Sequence, residues 1–288
     1  MRFRCKCTCR IFQPEWSPWL RTCWYVYSHK INDSTYTIFF KLDKSITAQE
    51  CRSRGCIWAE VNDDRAPWCY IDKKQTGYTS SAQTKLPNGF DSTLELKTTA
   101  RKLATFEQIS KLKLTVTQVS EHILRIRLTD PATKRYEVPI QSHFNIPTKT
   151  PEKTAYDVSL SGDFHLKVSR RSSGATLIDT SIGGLVYSDQ FIQFATYLAS
   201  KDVYGFGENY HLSFKREMDF TTLPLFARDY GVGRKDMSYY GHHPFVTVVE
   251  ADGRAYGIFL LNSNAMCEFI CEIVGHTNQV YKCFFIRN

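Results

Sequence analysis

The 288 residues carry a net charge of +8, with 42% hydrophobic and 14% aromatic side chains and no excess of Gly or Pro. That size and apolar content bring one large core or two smaller ones and exclude a disordered chain. The Lys and Arg residues are scattered rather than gathered on one stripe, which argues against a nucleic-acid partner, and no stretch reaches the ~18 apolar residues of a membrane helix.

Residues 1–40 show no period, and Met1 to Arg10 has no apolar run of the kind a signal peptide needs. Cys5-Lys-Cys-Thr-Cys9 lacks the paired Cys-x2-Cys units and nearby His of a zinc site, so these read as incidental thiols. Asn32-Asp-Ser34 is a glycosylation sequon, meaningful only in the secretory pathway. The ten cysteines fall in three groups: Cys5, Cys7, Cys9 and Cys23; Cys51, Cys56 and Cys69; and Cys267, Cys271 and Cys283. The middle group lies in Cys51-Arg-Ser-Arg-Gly-Cys-Ile-Trp58 and Pro67-Trp-Cys-Tyr70. A segment this short buries too little apolar surface to hold itself, so it reads as a disulfide-held module from an oxidising compartment. Trp58, Trp68 and Tyr70 read as its small core, or else as a groove on which a sugar's apolar face stacks.

From Lys111 the text alternates. Leu112, Leu114 and Val116 form one strand, and Leu124, Ile126 and Leu128 a second that stops at Asp130-Pro131. Phe164, Leu166 and Val168 alternate again before a turn at Ser173-Gly174, and Phe191 to Leu198 is a further apolar run. Phe245 to Val249 and Tyr256 to Leu261 flank Ala251-Asp-Gly253, a hairpin signal. Short strands between polar turns predict a β-sandwich. Thr99 to Lys113 is the one stretch with room for a short helix, and Cys267 to Asn288 shows no pattern.

Gly205-Phe-Gly-Glu208 opens no helix, so its glycines serve a tight turn rather than a phosphate loop. His242 and His243 are adjacent, and adjacent side chains diverge on a strand, so they read as a turn and not as metal ligands. No Gly-x-Ser-x-Gly and no His-Glu-x-x-His occurs. No cofactor and no metal are expected.

The spacing of Cys51, Cys56 and Cys69 with Trp58 and Pro67-Trp68 resembles the second half of a trefoil (P-type) module. The resemblance implies a disulfide between Cys51 and Cys69, the family's third and sixth cysteines. Ile57 stands at the fifth position, and Cys56 is left without its family partner unless Cys23 substitutes. Five phrases come next, in order: Asp130 to Pro139, Leu177-Ile-Asp-Thr-Ser181 with Tyr187-Ser-Asp-Gln190, Val203 to Asn209, Phe226-Ala-Arg-Asp229, and Gly257 to Met266. Together they resemble the N-terminal, galactose-mutarotase-like β-sandwich of glycoside hydrolase family 31, in its intestinal and lysosomal α-glucosidase branches. The resemblance covers about residues 41–266. It implies a mainly β fold in which a degenerate disulfide-bonded trefoil (41–75) precedes a β-sandwich (76–266), with 1–40 and 267–288 unassigned.

In that family catalysis resides on a further (β/α)8 barrel after the sandwich, which takes about 250 residues, and the nucleophile lies in a Trp-x-Asp-Met-Asn-Glu phrase. That phrase is absent, and Glu217-Met-Asp219 and Asp236-Met237 are echoes without its context. The resemblance therefore implies no catalytic residue here. It implies a sugar-facing sandwich loop in which Asp229 is a substrate ligand and Arg228 its neighbour. The expected function is that of a truncated, non-catalytic N-terminal portion of an α-glucosidase, whose partner is an α-glucosidic carbohydrate met weakly or only with the barrel. The alternative is a non-enzymatic trefoil-containing protein that binds carbohydrate or associates with mucin. The family implies the secretory pathway, although the N-terminus does not read as a leader.

Overall fold

The computed structural model describes residues 37–38, 46–60, 68–102, 107–137, 139, 146–189, 191–208, 210–217, 219–227, 229, 231, 233, 238–262, 266–274 and 280–287. The chain begins with β1 (Thr37–Ile38), α1 (Ala48–Ser53), β2 (Ile57–Trp58) and β3 (Cys69–Asp72), the strands pairing in the order β1-β3-β2. Helix α1 starts at Thr47 because Thr47 and Glu50 satisfy each other's backbone N–H groups, at 3.1 and 3.2 Å. The Cys51–Cys69 disulfide, with its Cα atoms 5.7 Å apart, then ties α1 to β3. Cys56 is also disulfide-bonded, to a cysteine other than those two, so of the two readings left open the one with a substitute partner holds. The three sulfurs and Ile71 form a core on which Ile46 and Trp58 pack. Trp68 meets Trp58 edge to face at 5.8 Å but is itself 36% exposed, so the core reading holds for Trp58 and only half for Trp68. The Tyr70 side chain lies outside the described residues.

Two half-buried cations fasten this module to the rest of the chain. The Arg101 guanidinium donates to the Arg54 carbonyl and the Lys73 ammonium to the Ser181 carbonyl. Burial, and then the charge of Lys97, hold the Lys73 ammonium below its ordinary pKa.

The next strands are β4 (Tyr78–Ser80), β5 (Thr84–Leu86), β6 (Gly89–Leu96), β7 (Lys111–Gln118) and β8 (Leu124–Thr129). They form an antiparallel sheet in the order β4-β6-β7-β8, with β5 on β6. In β7 the alternation predicted from sequence is realised: Leu112, Leu114 and Val116 are buried, while Lys111 and Lys113 are exposed. The helix expected within Thr99–Lys113 is not found among the described residues of that stretch. Its end belongs to β7, where period-two burial against β6 decides the conformation.

The chain continues through β9 (Tyr156–Ser161), β10 (His165–Arg170), β11 (Thr176–Asp179), β12 (Val186–Tyr187), β13 (Ile192–Tyr197), β14 (Asp202–Gly205) and β15 (Asp219–Leu225). It ends with β16 (Phe245–Val249), β17 (Ala255–Phe259), β18 (Met266–Val274) and β19 (Val280–Arg287). The larger sheet runs β15-β18-β19-β13-β11-β10-β9 with β12 on β13, and β14-β16-β17 form a third sheet. Tyr78, Leu94, Leu112, Leu114 and Val116 of the first sheet pack on Leu160, Phe164, Leu166, Leu185 and Tyr187 of the larger one. That layer of apolar side chains between two antiparallel sheets is the core of a β-sandwich. A second cluster joins the third sheet to β15 and β18 through Val203, Phe206, Leu225, Val246, Val248 and Met266.

In the part of the sequence where no pattern is read, β18 and β19 pair antiparallel between β15 and β13 of the larger sheet. The sequence shows why: Glu268 and Glu272 fall four residues apart and Phe284-Phe-Ile286 is a continuous apolar run, so no period-two alternation stands out for a sequence reading to find.

Among the described residues, four phenols titrate late because they are buried. Burial pushes Tyr156 up to about 12 and raises Tyr78, Tyr187 and Tyr256 as well. Unfolded tyrosine titrates near ~10, so between roughly pH 10 and 12 the folded state holds more protons than the unfolded one. Stability is therefore complete below about pH 10 and falls as the pH rises through that window. The melting temperature is expected to drop by on the order of 5–10 °C between those limits. An unchanged melting temperature at the alkaline limit would show that these hydroxyls are not held protonated by the fold.

Candidate functional site

Strand β14 ends in an unusual turn. Gly205, Phe206 and Gly207 all take positive φ, at +113°, +70° and +75°. A Cβ on Gly205 would lie 2.4 Å from the Phe245 carbonyl oxygen, so only glycine fits. Phe206 bears its strained φ because its ring is buried in the second core cluster. Arg216, itself buried, donates to the Gly205 carbonyl from the other side. The two glycines expected to serve a tight turn therefore do so.

The turn delivers Glu208 to the segment before β16. The Glu208 N–H donates to the Gly241 carbonyl at 2.8 Å, and the Tyr239 N–H donates to the Glu208 carbonyl at 2.9 Å. The Glu208 carboxylate accepts the Gly241 N–H at 2.7 Å. Three bonds thus fix residues 239–241 around one glutamate. Tyr239 is buried, while Tyr240 stands 65% exposed and donates its hydroxyl to the Asp229 carboxylate at 2.5 Å. That hydrogen bond, together with the charge of Asp229, raises the Tyr240 phenol above its ordinary value and keeps it a donor. Asp229 is exposed. A carboxylate offers about four lone-pair sites, so the bond from Tyr240 leaves acceptor capacity for hydroxyl groups from solvent or ligand.

Asp229, singled out from sequence, is thus held on the surface by an aromatic partner that sequence reasoning missed. Arg228 lies outside the described residues, as do Asp236 and Met237. Asp219 opens β15, within a sheet. Burial and the neighbouring His243 hold the His242 imidazole below its ordinary pKa, and no cluster of three or more metal-ligating side chains occurs among the described residues. Glu208 and Tyr240 left no short-range signal, since their partners lie far along the chain. The sequence clue was the Tyr-Tyr-Gly run at 239–241 beside a loop carboxylate.

Three loops leave the same end of the third sheet, because β14 runs out at Gly205 where β16 enters at Phe245, opposite Phe259 at the exit of β17. Around that end Leu212 is 82% and Phe214 92% exposed, and Tyr210, Tyr240, Phe245 and Phe259 are exposed as well. One of these exposed aromatics, Tyr240, is the partner of the Asp229 carboxylate.

The family model described as the glycosyl hydrolase 31 N-terminal galactose mutarotase-like domain matches residues 113–267, and the trefoil (P-type) domain model matches residues 40–72. Intestinal sucrase-isomaltase of Oryctolagus cuniculus is 38% identical over 232 residues, 79% of this chain and 12% of that protein. The same enzyme of Homo sapiens is 37% identical over 222 residues, 76% of this chain and 12% of that protein. Lysosomal alpha-glucosidase of Bos taurus is 35% identical over 233 residues, covering 78% of this chain and 24% of its own length. The chain thus spans between 12% and 24% of the length of these curated relatives.

Proposed function

Because the chain belongs to the glycosyl hydrolase 31 N-terminal, galactose mutarotase-like family, we propose that it is the non-catalytic N-terminal portion of an α-glucosidase. On this reading the trefoil (41–75) and sandwich (76–266) are its two modules, and the Asp229 loop shapes a sugar site completed by a catalytic barrel. The observation that carries the proposal is the exposed Asp229 carboxylate, which holds the exposed Tyr240 and keeps further acceptor sites open. Leu212 and Phe214 are almost fully exposed on the loop that follows β14, and large exposed apolar side chains of this kind mark surfaces made to be covered. Retaining glycosidases need two carboxyl groups about 5–5.5 Å apart. The family's nucleophile phrase does not occur in the sequence, and Asp229 pairs with a phenol. Alone, the chain binds α-glucosidic carbohydrate weakly at most.

The Asp229 carboxylate would accept hydrogen bonds from two adjacent sugar hydroxyls, with Arg228 its neighbour in the loop. Such charge-assisted bonds contribute about 1.5–3 kcal/mol each. In a polypeptide that carries both sandwich and barrel, Asp229→Ala removes both and is therefore expected to lower kcat/KM about 100-fold or more. An antibody raised against the sandwich tests the wider reading. A native band several times heavier than this chain agrees with it. A band at the chain's own calculated mass favours a trefoil-containing binding protein instead. The family's association with the secretory pathway fits the Cys51–Cys69 disulfide.

A further inference from the structure

We infer that Glu208 is a positioning residue of the Asp229 site: it sets two consecutive tyrosines, and these clamp the loop that carries the carboxylate. The inference rests on the reading of Asp229 as a sugar ligand. Both tyrosines reach back to that loop. The Tyr239 hydroxyl accepts the Gly233 N–H at 3.2 Å, and the Tyr240 hydroxyl donates to the Asp229 carboxylate at 2.5 Å. The loop is thus gripped at two points.

Residues 239–241 belong to no helix or strand, so bonds from outside the segment place them. Glu208 supplies three. Its N–H and carbonyl bond to the Gly241 carbonyl and the Tyr239 N–H, and its carboxylate accepts the Gly241 N–H at 2.7 Å. These bonds fall on the residue before Tyr240 and on the residue after it. A Cβ on Gly241 would lie 3.1 Å from the Glu208 Oε2 and 3.2 Å from the Glu208 Cβ. The carboxylate can therefore close on this N–H because residue 241 has no side chain. The two main-chain bonds survive any substitution at 208, so the carboxylate bond, which is charge-assisted, is the one the side chain controls.

Nitration of Tyr240 by tetranitromethane tests the clamp in the 288-residue chain at pH 8. The reagent attacks the phenolate, and the bond to Asp229 keeps Tyr240 protonated. Tryptic peptide Asp236–Arg254 carries both tyrosines, and fragmentation between them locates the nitro group. Asp229→Ala gives the rate of an uncapped Tyr240. Glu208→Ala is expected to nitrate at Tyr240 roughly 3- to 10-fold faster than the parent chain, approaching that rate. Glu208→Gln removes the charge but keeps an acceptor for the Gly241 N–H, and it should stay close to the parent. A Glu208→Ala rate equal to the parent's would overturn the inference. So would Glu208→Gln as fast as Glu208→Ala, since charge alone would then explain the change. In a polypeptide with sandwich and barrel, Glu208→Ala should lower kcat/KM roughly 3- to 10-fold, with Glu208→Gln restoring most of it. If Asp229→Ala lowers kcat/KM there and Glu208→Ala does not, positioning by Glu208 is refuted. If Asp229→Ala itself costs nothing, the sugar-site reading falls, and with it any part for Glu208 in sugar binding, whatever the nitration shows.

Discussion

Glu250→Ala is expected to destabilise the fold by about 3–5 kcal/mol, the cost of leaving a buried charge without its partner. The Glu250 side chain, at the end of β16, is 3% exposed, and that of Arg170, at the end of β10, is 16% exposed. The guanidinium grips the carboxylate through Nε at 2.9 and 3.0 Å and through a second nitrogen, and it also donates to the Ala255 carbonyl at 3.1 Å. The bond to Glu250 raises the Arg170 pKa further, so the cation cannot escape by losing its proton. The pair spans the larger sheet and the third sheet, beside the buried Tyr156, Val168 and Leu177 on which Tyr256 packs. Glu250→Gln keeps an acceptor and should cost less, on the order of 1.5–3 kcal/mol. Replacing both partners by apolar residues, Arg170→Met with Glu250→Leu, should recover most of the loss, because the buried pair gains little over well-packed hydrocarbon. Urea midpoints read all three. If Glu250→Ala unfolds at the wild-type midpoint, the ion pair is a surface contact and the two sheets are held by packing alone.

Gly205→Ala should cost about 3 kcal/mol or more, from two sources. Its φ of +113° is unfavourable for an L side chain by roughly 1–2 kcal/mol. The new Cβ would also sit 2.4 Å from the Phe245 carbonyl oxygen and 3.3 Å from the Val246 Cα. Both are backbone atoms of the paired strand, so no flexible side-chain end can move aside, and overpacking of this kind adds about 1–3 kcal/mol. Gly253→Ala is the matched control, with a φ of +84° and nothing within 4 Å of the added atom. It should lose only the first contribution. Equal losses at the two sites would mean that the β14–β16 contact yields freely. The consequence of Gly205→Ala reaches the site, because the displaced turn carries Glu208, and Glu208 sets the segment that presents Tyr240 to Asp229.

The sequence was most legible where one face of a strand is wet. The Leu112–Leu114–Val116 and Phe164–Leu166–Val168 alternations, the stop at Asp130-Pro131 and the Ala251-Asp-Gly253 hairpin all appear where the residues place them. The Cys51–Cys69 bridge was legible through the trefoil resemblance alone. What stayed hidden is long-range. Glu208 meets Gly241 across 33 positions, and Arg170 meets Glu250 across 80. No local period encodes either contact. Strands β18 and β19 were hidden for a different reason, since Glu268 and Glu272 fall four residues apart and Phe284-Phe-Ile286 is a continuous apolar run, neither of which alternates. Lys111 to Lys113 was drawn towards a helix by neighbours that do not share its strand pairing.

Maltose hydrolysis by the purified 288-residue chain is the most direct measurement of the central claim, that this sandwich shapes a sugar site without performing the chemistry. The account predicts no glucose release above the uncatalysed background, with Asp229→Ala indistinguishable from the parent chain. Turnover by the parent chain that disappears in Asp229→Ala would contradict it and would place a complete hydrolytic site within these residues.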